Sequence, residues 1–334
     1  MIKEPTVFIL GAGASFPYGF PTGAQLRTLI CKNFANDYAR LYYNDGPISD
    51  IVTNKKRQEG SVFANAFRLS GNASIDLFLS RRGEFANFGK MAIVMEILKA
   101  EKKSRANEAE SKNENWYSYI FGRMSDTIRD SKTWTEITQN NVHFITFNYD
   151  RSLEYSLYLF LANSFDFQND WGKLTEVYKK IPILHVYGQI GDLDLQYENK
   201  GQDEYKELDF NYLGYSRDYN LPIVEQGTKN IRTIHEERKD LGLSNIKDII
   251  AKARRIFFLG FGFAPENLEV LGMPETINST ARVYATAIGL KNGEMSRIKG
   301  KLLTRTKDGN PVRIIESTVT LAELSCLDLL REYL

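Results

Sequence analysis

The sequence predicts an α/β protein: a parallel sheet of about six strands flanked by helices, with a helical insertion after the first strand. Three observations carry that expectation. Short apolar runs that are apolar on both faces recur along the chain, as buried parallel strands require. Stretches with apolar residues at helical spacing separate them. Several runs end in glycines or small polar residues at their carboxyl ends, the edge where open α/β sheets bind ligands.

The first run, Thr6-Val-Phe-Ile-Leu10, feeds directly into Gly11-Ala12-Gly13-Ala14-Ser15. Small residues let the backbone turn tightly and let a ligand come close. Phe20, Pro21 and Thr22 follow. Thr22 is an N-cap candidate for a helix whose free N–H groups and positive dipole end would face that turn. Strand, glycine turn and helix start together suit a pyrophosphate. The dinucleotide fingerprint is incomplete, however. Phe16 stands where a third glycine belongs, and Asp37 comes too early, after no strand, to read a ribose. That disfavours a hydride-transfer dehydrogenase, and it leaves open an ordinary buried strand with a glycine turn.

Helices are expected over residues 24–41, 61–69, 74–103 and 116–131, with a loop over 44–60 and a solvated stretch from Lys99 to Asn115. Residues 24–141 then form a helical insertion, and 1–23 with 142–334 form the core. Strands resume at Val142–Thr146 and Ile181–Gly188, each ending in polar residues or glycine, with a helix over 151–163 between them. Residues 192–222 are polar and tyrosine-rich, an irregular insertion or lid. Helices over 223–239 and 244–254 precede a strand from Arg255 into Gly260-Phe-Gly262-Phe263. Val283–Ile288 and Val312–Ile315 read as two further strands, and Leu321–Leu334 as a terminal amphipathic helix.

Composition narrows the function classes. The chain has 334 residues, 43% hydrophobic and 25% charged, and a formal net charge of +1, so no global electrostatic case exists for nucleic acid or an anionic membrane. Two cysteines, Cys31 and Cys326, cannot build a zinc ribbon, and no His/Cys/carboxylate cluster suggests a metal. No stretch reaches the roughly 18 apolar residues of a membrane span. A reduced, cytoplasmic chain without a signal peptide is the expectation.

The expected strand ends gather Gly11, Gly13 and Ser15, then Thr146, Asn148 and Asp150, then His185 and Tyr187, then Gly260 and Gly262. Each has a plainer explanation. Asn148 or Asp150 could cap the helix that follows. His185 could be a core histidine, and Gly260–Phe263 a simple strand-to-helix turn. His143 alternates with buried positions and reads as structural, His235 as solvated, and Arg254 and Arg255 as flanking their strand.

Taken in order, Gly-Ala-Gly-Ala-Ser15 with Gly19-Phe-Pro21, Thr146-Phe-Asn148-Tyr-Asp150, His185-Val-Tyr-Gly188, and Gly260-Phe-Gly-Phe263 with Asn267 resemble the signatures of SIR2-like proteins. The likeness is greatest to the bacterial SIR2-like NAD+ hydrolases of antiphage defence. It covers residues 6–23 and 142–268. It implies a Rossmann-like sheet that binds NAD+ as substrate, without a metal and without hydride transfer. By position, Gly11 to Ser15 would hold the pyrophosphate, Asn148 and Asp150 would sit by the nicotinamide ribose, and Gly260 to Phe263 would approach the adenosine half with Asn267 nearby. His185 would serve as base or orienting group. In sirtuins the histidine directly precedes the glycine of that motif. Here Tyr187 does, and His185 lies two residues earlier, on the same strand face about 6.5 Å further back. The missing zinc ribbon argues against an acyl-peptide substrate. The resemblance further implies a homo-oligomer that depletes NAD+ when triggered, held in check by assembly or by a partner such as a HerA-type ATPase, a short Argonaute protein or another sensor. A lapsed NAD+ or ADP-ribose sensor, and an ADP-ribosyltransferase or deacylase, stand as alternatives.

Overall fold

The computed structural model describes residues 1–43, 49–106, 115–168, 170–193, 212–213, 218–233, 236, 243–307, 310–313 and 319–334. Strands β1 (Thr6–Leu10), β2 (Val142–Thr146) and β3 (Ile183–His185) lie on one side of a six-stranded sheet. Two residue pairs, β4 (Asp192–Leu193) and β5 (Tyr212–Leu213), form a separate parallel ladder. Strands β6 (Arg255–Leu259) and β7 (Arg282–Thr286) belong to the sheet, β8 (Thr304–Lys307) and β9 (Asn310–Arg313) form an antiparallel hairpin apart from it, and β10 (Val319–Ala322) completes the sheet. The order is β10-β7-β6-β1-β2-β3, with every neighbouring pair parallel. Counted along the chain, this is the 3-2-1-4-5-6 order of dinucleotide-binding sheets, and its topological switch lies between β1 and β6.

Strand β1 is buried along its whole length. Its alternate residues feed two cores: Val7 and Ile9 join one with Ile145, Ile256 and Phe258, while Phe8 and Leu10 join the other with Phe144, Phe257 and Leu259. This period-two division explains why the strand is apolar on both faces. In register, Phe8 stacks between Phe144 at 5.2 Å and Phe257 at 5.4 Å, and the row continues from Phe257 to Tyr284 at 5.1 Å and to Tyr333 at 4.5 Å.

Between β1 and β2 the chain builds α1 (Ala12–Ser15), α2 (Gly23–Arg40), α3 (Ser49–Leu69), α4 (Ile75–Arg81), α5 (Ala86–Ala106) and α6 (Trp116–Ser125). Thr22 caps α2 in a reciprocal box with Gln25. The helices divide between the two sheet faces. Leu26, Ile30, Phe34, Phe63, Phe78 and Val94 enter the Val7 core, whereas Trp116, Tyr117, Ile120 and Phe121 enter the Phe8 core. The rest of the chain adds α7 (Ser152–Ser164), α8 (Trp171–Lys180), α9 (Leu221–Asn230), α10 (Leu243–Lys252), α11 (Pro265–Leu271), α12 (Asn292–Leu303) and α13 (Cys326–Tyr333). Among the described residues, no helix is long and apolar enough to cross a membrane.

Five local expectations are corrected. Residues 49–60, expected as loop, open α3. The Asn-Asp-Gly-Pro turn signal ends at Pro47, and Gly60 is not a breaker but a contact point, since a Cβ there would stand 3.0 Å from Ala35 Cα of α2. The 74–103 stretch is two helices, divided by a 3-10 turn at Gly83–Phe85. The expected solvated stretch is helical to Ala106 and carries Glu101 into the interior, with 107–114 outside the described residues. Asn310–Arg313 pairs in the hairpin rather than in the sheet, and residues 314–318 lie outside the described residues. The start of the expected terminal helix is instead edge strand β10, whose Val319 and Thr320 are β-branched. Most of 192–222 and His235 lie outside the described residues.

Phe8→Ala is expected to destabilise the protein by about 3–5 kcal/mol, because it removes a ring held between two others in a close-packed core. Equilibrium denaturation should give a lower midpoint at unchanged m. A loss below about 1 kcal/mol would mean that the phenylalanine row is not the spine of this sheet.

Candidate active site at the switch between β1 and β6

The turns after β1 and β6 are locked together. The Gly11 N–H donates to the Leu259 carbonyl and the Gly13 N–H to that of Gly260, both at 3.0 Å. Gly260 has φ +56, and a Cβ on it would stand 2.1 Å from the Ala14 nitrogen. A side chain is therefore barred twice, by conformation and by contact. The sequence suggests that these glycines admit a ligand; here their first use is to admit each other. Gly262 is exposed, and a Cβ there would meet nothing within 4 Å. Phe263 holds a left-handed conformation, φ 54, although it is not glycine, and is buried edge-on against Phe261 at 5.2 Å. Such outliers persist only where the surroundings impose them.

The helical layer supports this turn from behind. Trp116 Nε1 donates to the Ala14 carbonyl at 2.8 Å. Tyr18 stacks on Tyr117 with centroids 3.9 Å apart, accepts from the Tyr117 N–H at 2.9 Å and donates to Asn115 Oδ1 at 3.1 Å. Ala12 and Gly13 remain partly accessible. Phe20 is buried in the Val7 core, and Pro21 and Thr22 lie half-buried at the start of α2.

Strand β2 delivers Asn148 onto the turn. The Asn148 N–H donates to Thr146 Oγ1 at 3.1 Å, and its Nδ2 donates to the Gly11 carbonyl at 3.1 Å and to Ser15 Oγ at 2.9 Å. Both amide hydrogens are thus used across the strands, and among the described residues Oδ1 accepts nothing. Capping does not explain Asn148. Nor is Asp150 the cap, since Arg151 holds the N-cap position of α7; Asp150 shapes the entry instead, its Oδ1 accepting from the Ser152 N–H at 3.1 Å and from the Ser152 hydroxyl in an Asx turn. Burial pushes the Asp150 carboxyl up from its ordinary value, against the lowering effect of its hydrogen bonds from Ser152 and Ser15. Tyr117 Oη bonds Ser152 Oγ at 2.7 Å, and burial holds its own pKa well above the ordinary phenol value.

His185 ends β3 opposite Thr146. Its Nδ1 bonds the Asn148 backbone carbonyl at 2.9 Å, and its Nε2 bonds Oε1 of Glu154, in the first turn of α7. Burial acts to lower the His185 pKa, but the neighbouring Glu154 carboxyl and the Asn148 carbonyl outweigh it, and the net displacement is upward. Both ring nitrogens are engaged within the protein. Tyr187 reaches elsewhere, donating to Asn267 Oδ1 at 2.7 Å and so linking the β3 turn to α11. Gly188, with φ +73, lets the chain run beneath the Asn230 carbonyl.

Beneath these groups lies an ion pair with no solvent exposure on either side chain. Arg151 Nε and Nη2 meet Glu101 Oε1 and Oε2 at 3.0 and 2.7 Å, and Nη1 donates to the carbonyls of Gly191 and Asp192 at 3.3 and 3.1 Å. One guanidinium therefore ties the β2–α7 loop to α5 and to the chain after β3. Glu101, Ser152, Glu154, Trp116 and Tyr117 are additions to the residues expected from sequence. Glu154 looks there like an ordinary first-turn acid, and Glu101 like one more charge on a solvated helix face.

The structure brings Gly11, Gly13, Ala14, Ser15, Thr146, Asn148, Asp150, His185 and Gly260 into one connected network, with Tyr187 and Asn267 bonded beside it. Among the described residues, no group of three or more His, Cys, Asp or Glu side chains is placed to hold a metal ion. No family model matches this chain, and no curated protein matches it.

Asp150 yields a stability test with a definite sign. The folded state binds its proton more tightly than the unfolded chain does, so this group's contribution falls as pH rises from about 3.9 through the raised value. Asp150→Asn should match wild type near pH 3 and gain relative to it towards pH 8, measured by denaturant unfolding across pH. A relative loss that deepens with pH would mean that the buried carboxylate is stabilising.

Proposed function

We propose that this chain is an NAD+ glycohydrolase of the SIR2-like kind, splitting the nicotinamide–ribose bond to release nicotinamide and ADP-ribose. The observation that supports it most is the placement of Asn148. It reaches from the end of β2 to the β1 side of the switch point, tied by both amide hydrogens to the Gly11–Ser15 turn, with Oδ1 left as an acceptor.

The chemistry asks little of the protein in proton transfer. Nicotinamide leaves as a neutral molecule from a cationic ring, so no general acid is needed. The ribose passes through an oxocarbenium-like state. What the site must supply is orientation, an acceptor for a ribose hydroxyl or the attacking water, and a polar surround for the developing charge. Asn148 Oδ1 fits the acceptor role, and because both its hydrogens are anchored its direction is fixed before substrate arrives. Ser15, Ser152 and Asp150 supply polar groups behind it. The Gly11–Ser15 and Gly260–Phe263 turns face the same edge and would take the pyrophosphate and the adenosine half. The proposal extends to the setting its sequence resemblance suggests: an antiphage effector, assembled as a homo-oligomer and triggered with a partner.

A second reading, an NAD+ or ADP-ribose binding module without turnover, is favoured by one observation. Neither nitrogen of His185 is free to take a proton from water in this arrangement.

Nicotinamide release from NAD+ at high protein concentration separates the two. Wild type is expected to turn over, and Asn148→Ala to lose about 100-fold or more in kcat, the scale seen when one oriented polar group is removed from a transition state. Thermal stabilisation by NAD+ without nicotinamide release would favour the binding module. Neither release nor stabilisation would refute both.

A further inference from the structure

We propose that Glu154 is a positioning residue: through His185 it fixes the backbone of Asn148, and so the direction of the Asn148 side chain in the site. This inference deepens the hydrolase reading and rests on it for its kinetic arm only. The geometry is a clip. His185 bridges the loop and the helix that follows it, meeting the Asn148 carbonyl at Nδ1 and, six positions further along in the first turn of α7, the Glu154 carboxyl at Nε2. Asn148 then spans to Gly11 and Ser15. Releasing either contact removes the tie that holds the Asn148 carbonyl, on the segment between Thr146 and α7 that carries both Asn148 and Asp150.

Two further features suit a role beyond packing. Glu154 is buried, and among the described residues its Oε2 has no hydrogen-bond partner. A carboxyl present only for structure would be expected to satisfy both oxygens. The donor pattern is also specific. A carbonyl only accepts, so Nδ1 must carry a proton, which leaves Nε2 to face the carboxyl. With Nε2 also protonated, the imidazolium donates at both ends, to the Glu154 carboxylate and to the Asn148 carbonyl, and both bonds are charge-assisted. With Nε2 bare, lone pairs face lone pairs and the clip opens. Glu154 on α7 and Asp150 on the loop face His185, and Glu154 in turn faces Tyr178 on α8, which Asp192 and Arg151 also face.

The upward displacement of the His185 pKa agrees with this arrangement and gives its sign. The clip is complete below the ordinary histidine value of about 6.5 and is lost as pH rises through the raised folded value. A positioning role therefore makes turnover fall on the alkaline side. A general base at His185 would make turnover rise with pH across the same interval. The two roles give slopes of opposite sign.

The test uses the full chain with Glu154→Gln and Glu154→Ala. Glutamine can donate to neutral Nε2 and should keep the clip, so its alkaline fall should disappear. Alanine cannot, and should lower kcat by about 10–100-fold, the usual cost of losing the outer partner of a functional histidine, with KM changed less than about threefold. Turnover that rises with pH in wild type, or Glu154→Ala at wild-type kcat, would overturn the proposal. A second measurement does not need catalysis. The chain has only three histidines, so the imidazole nitrogens can be assigned by long-range proton–nitrogen NMR. His185 is expected to carry protons on both nitrogens in wild type below the ordinary histidine value of about 6.5, and on Nδ1 alone in Glu154→Gln once that variant's His185 is neutral. A neutral wild-type His185 protonated on Nε2 would refute the clip even if the variants fail to fold. A wild type that releases no nicotinamide while its His185 shows the doubly protonated form would count against the hydrolase and leave the clip standing.

Discussion

Everything in the site depends on how closely two turns approach each other. Gly260 lies against Gly13 and Ala14 at a separation that no Cβ could share, and the amide–carbonyl bonds from Gly11 and Gly13 fix the two loops in register. That contact closes the carboxyl edge of the sheet where β1 and β6 diverge. It sets where the Gly11 carbonyl points, and the Gly11 carbonyl and Ser15 hydroxyl decide where Asn148 goes. The parallel register, the phenylalanine row around Phe8 and the Trp116 bond to Ala14 all hold that one junction in place.

The architecture was legible because parallel strands buried on both faces leave an unambiguous trace: Thr6–Leu10, Val142–Thr146 and Arg255–Leu259 are apolar at nearly every position. Small residues at the strand ends marked the functional edge. Less was legible where tertiary packing overrides local pattern. Asn54 to Glu59 reads as polar loop, but becomes helix because Thr53, Gly60, Phe63 and Phe67 make one buried face. Val319–Ala322 is too short to distinguish from the start of a helix until β7 offers it an edge.

The candidate site was legible as a set of residue types but not as a wiring diagram. Asn148 and His185 could be named from the sequence. That His185 holds the Asn148 backbone, and is itself held by Glu154, could not, because the three meet only through β3 and α7. The roles of the two acids after β2 divide in the same way. Asp150 shapes the entrance to α7, whereas Glu154 grips the neighbouring strand. Burying several carboxyl groups in so small a volume is costly unless each has donors or a counter-charge. The network offsets part of that cost with Ser152, Ser15, His185 and Arg151.

The Arg151–Glu101 pair has a consequence for how this chain can be divided. By sequence, the helices between β1 and β2 look like a detachable module on a nucleotide-binding core. Yet the acid that neutralises the guanidinium under the site belongs to α5, and the indole that anchors the glycine turn belongs to α6. A core cut free of those helices would keep its sheet pattern but lose the buried acid that meets Arg151 and the indole bonded to the Ala14 carbonyl. Sheet and helical layer must therefore be engineered together.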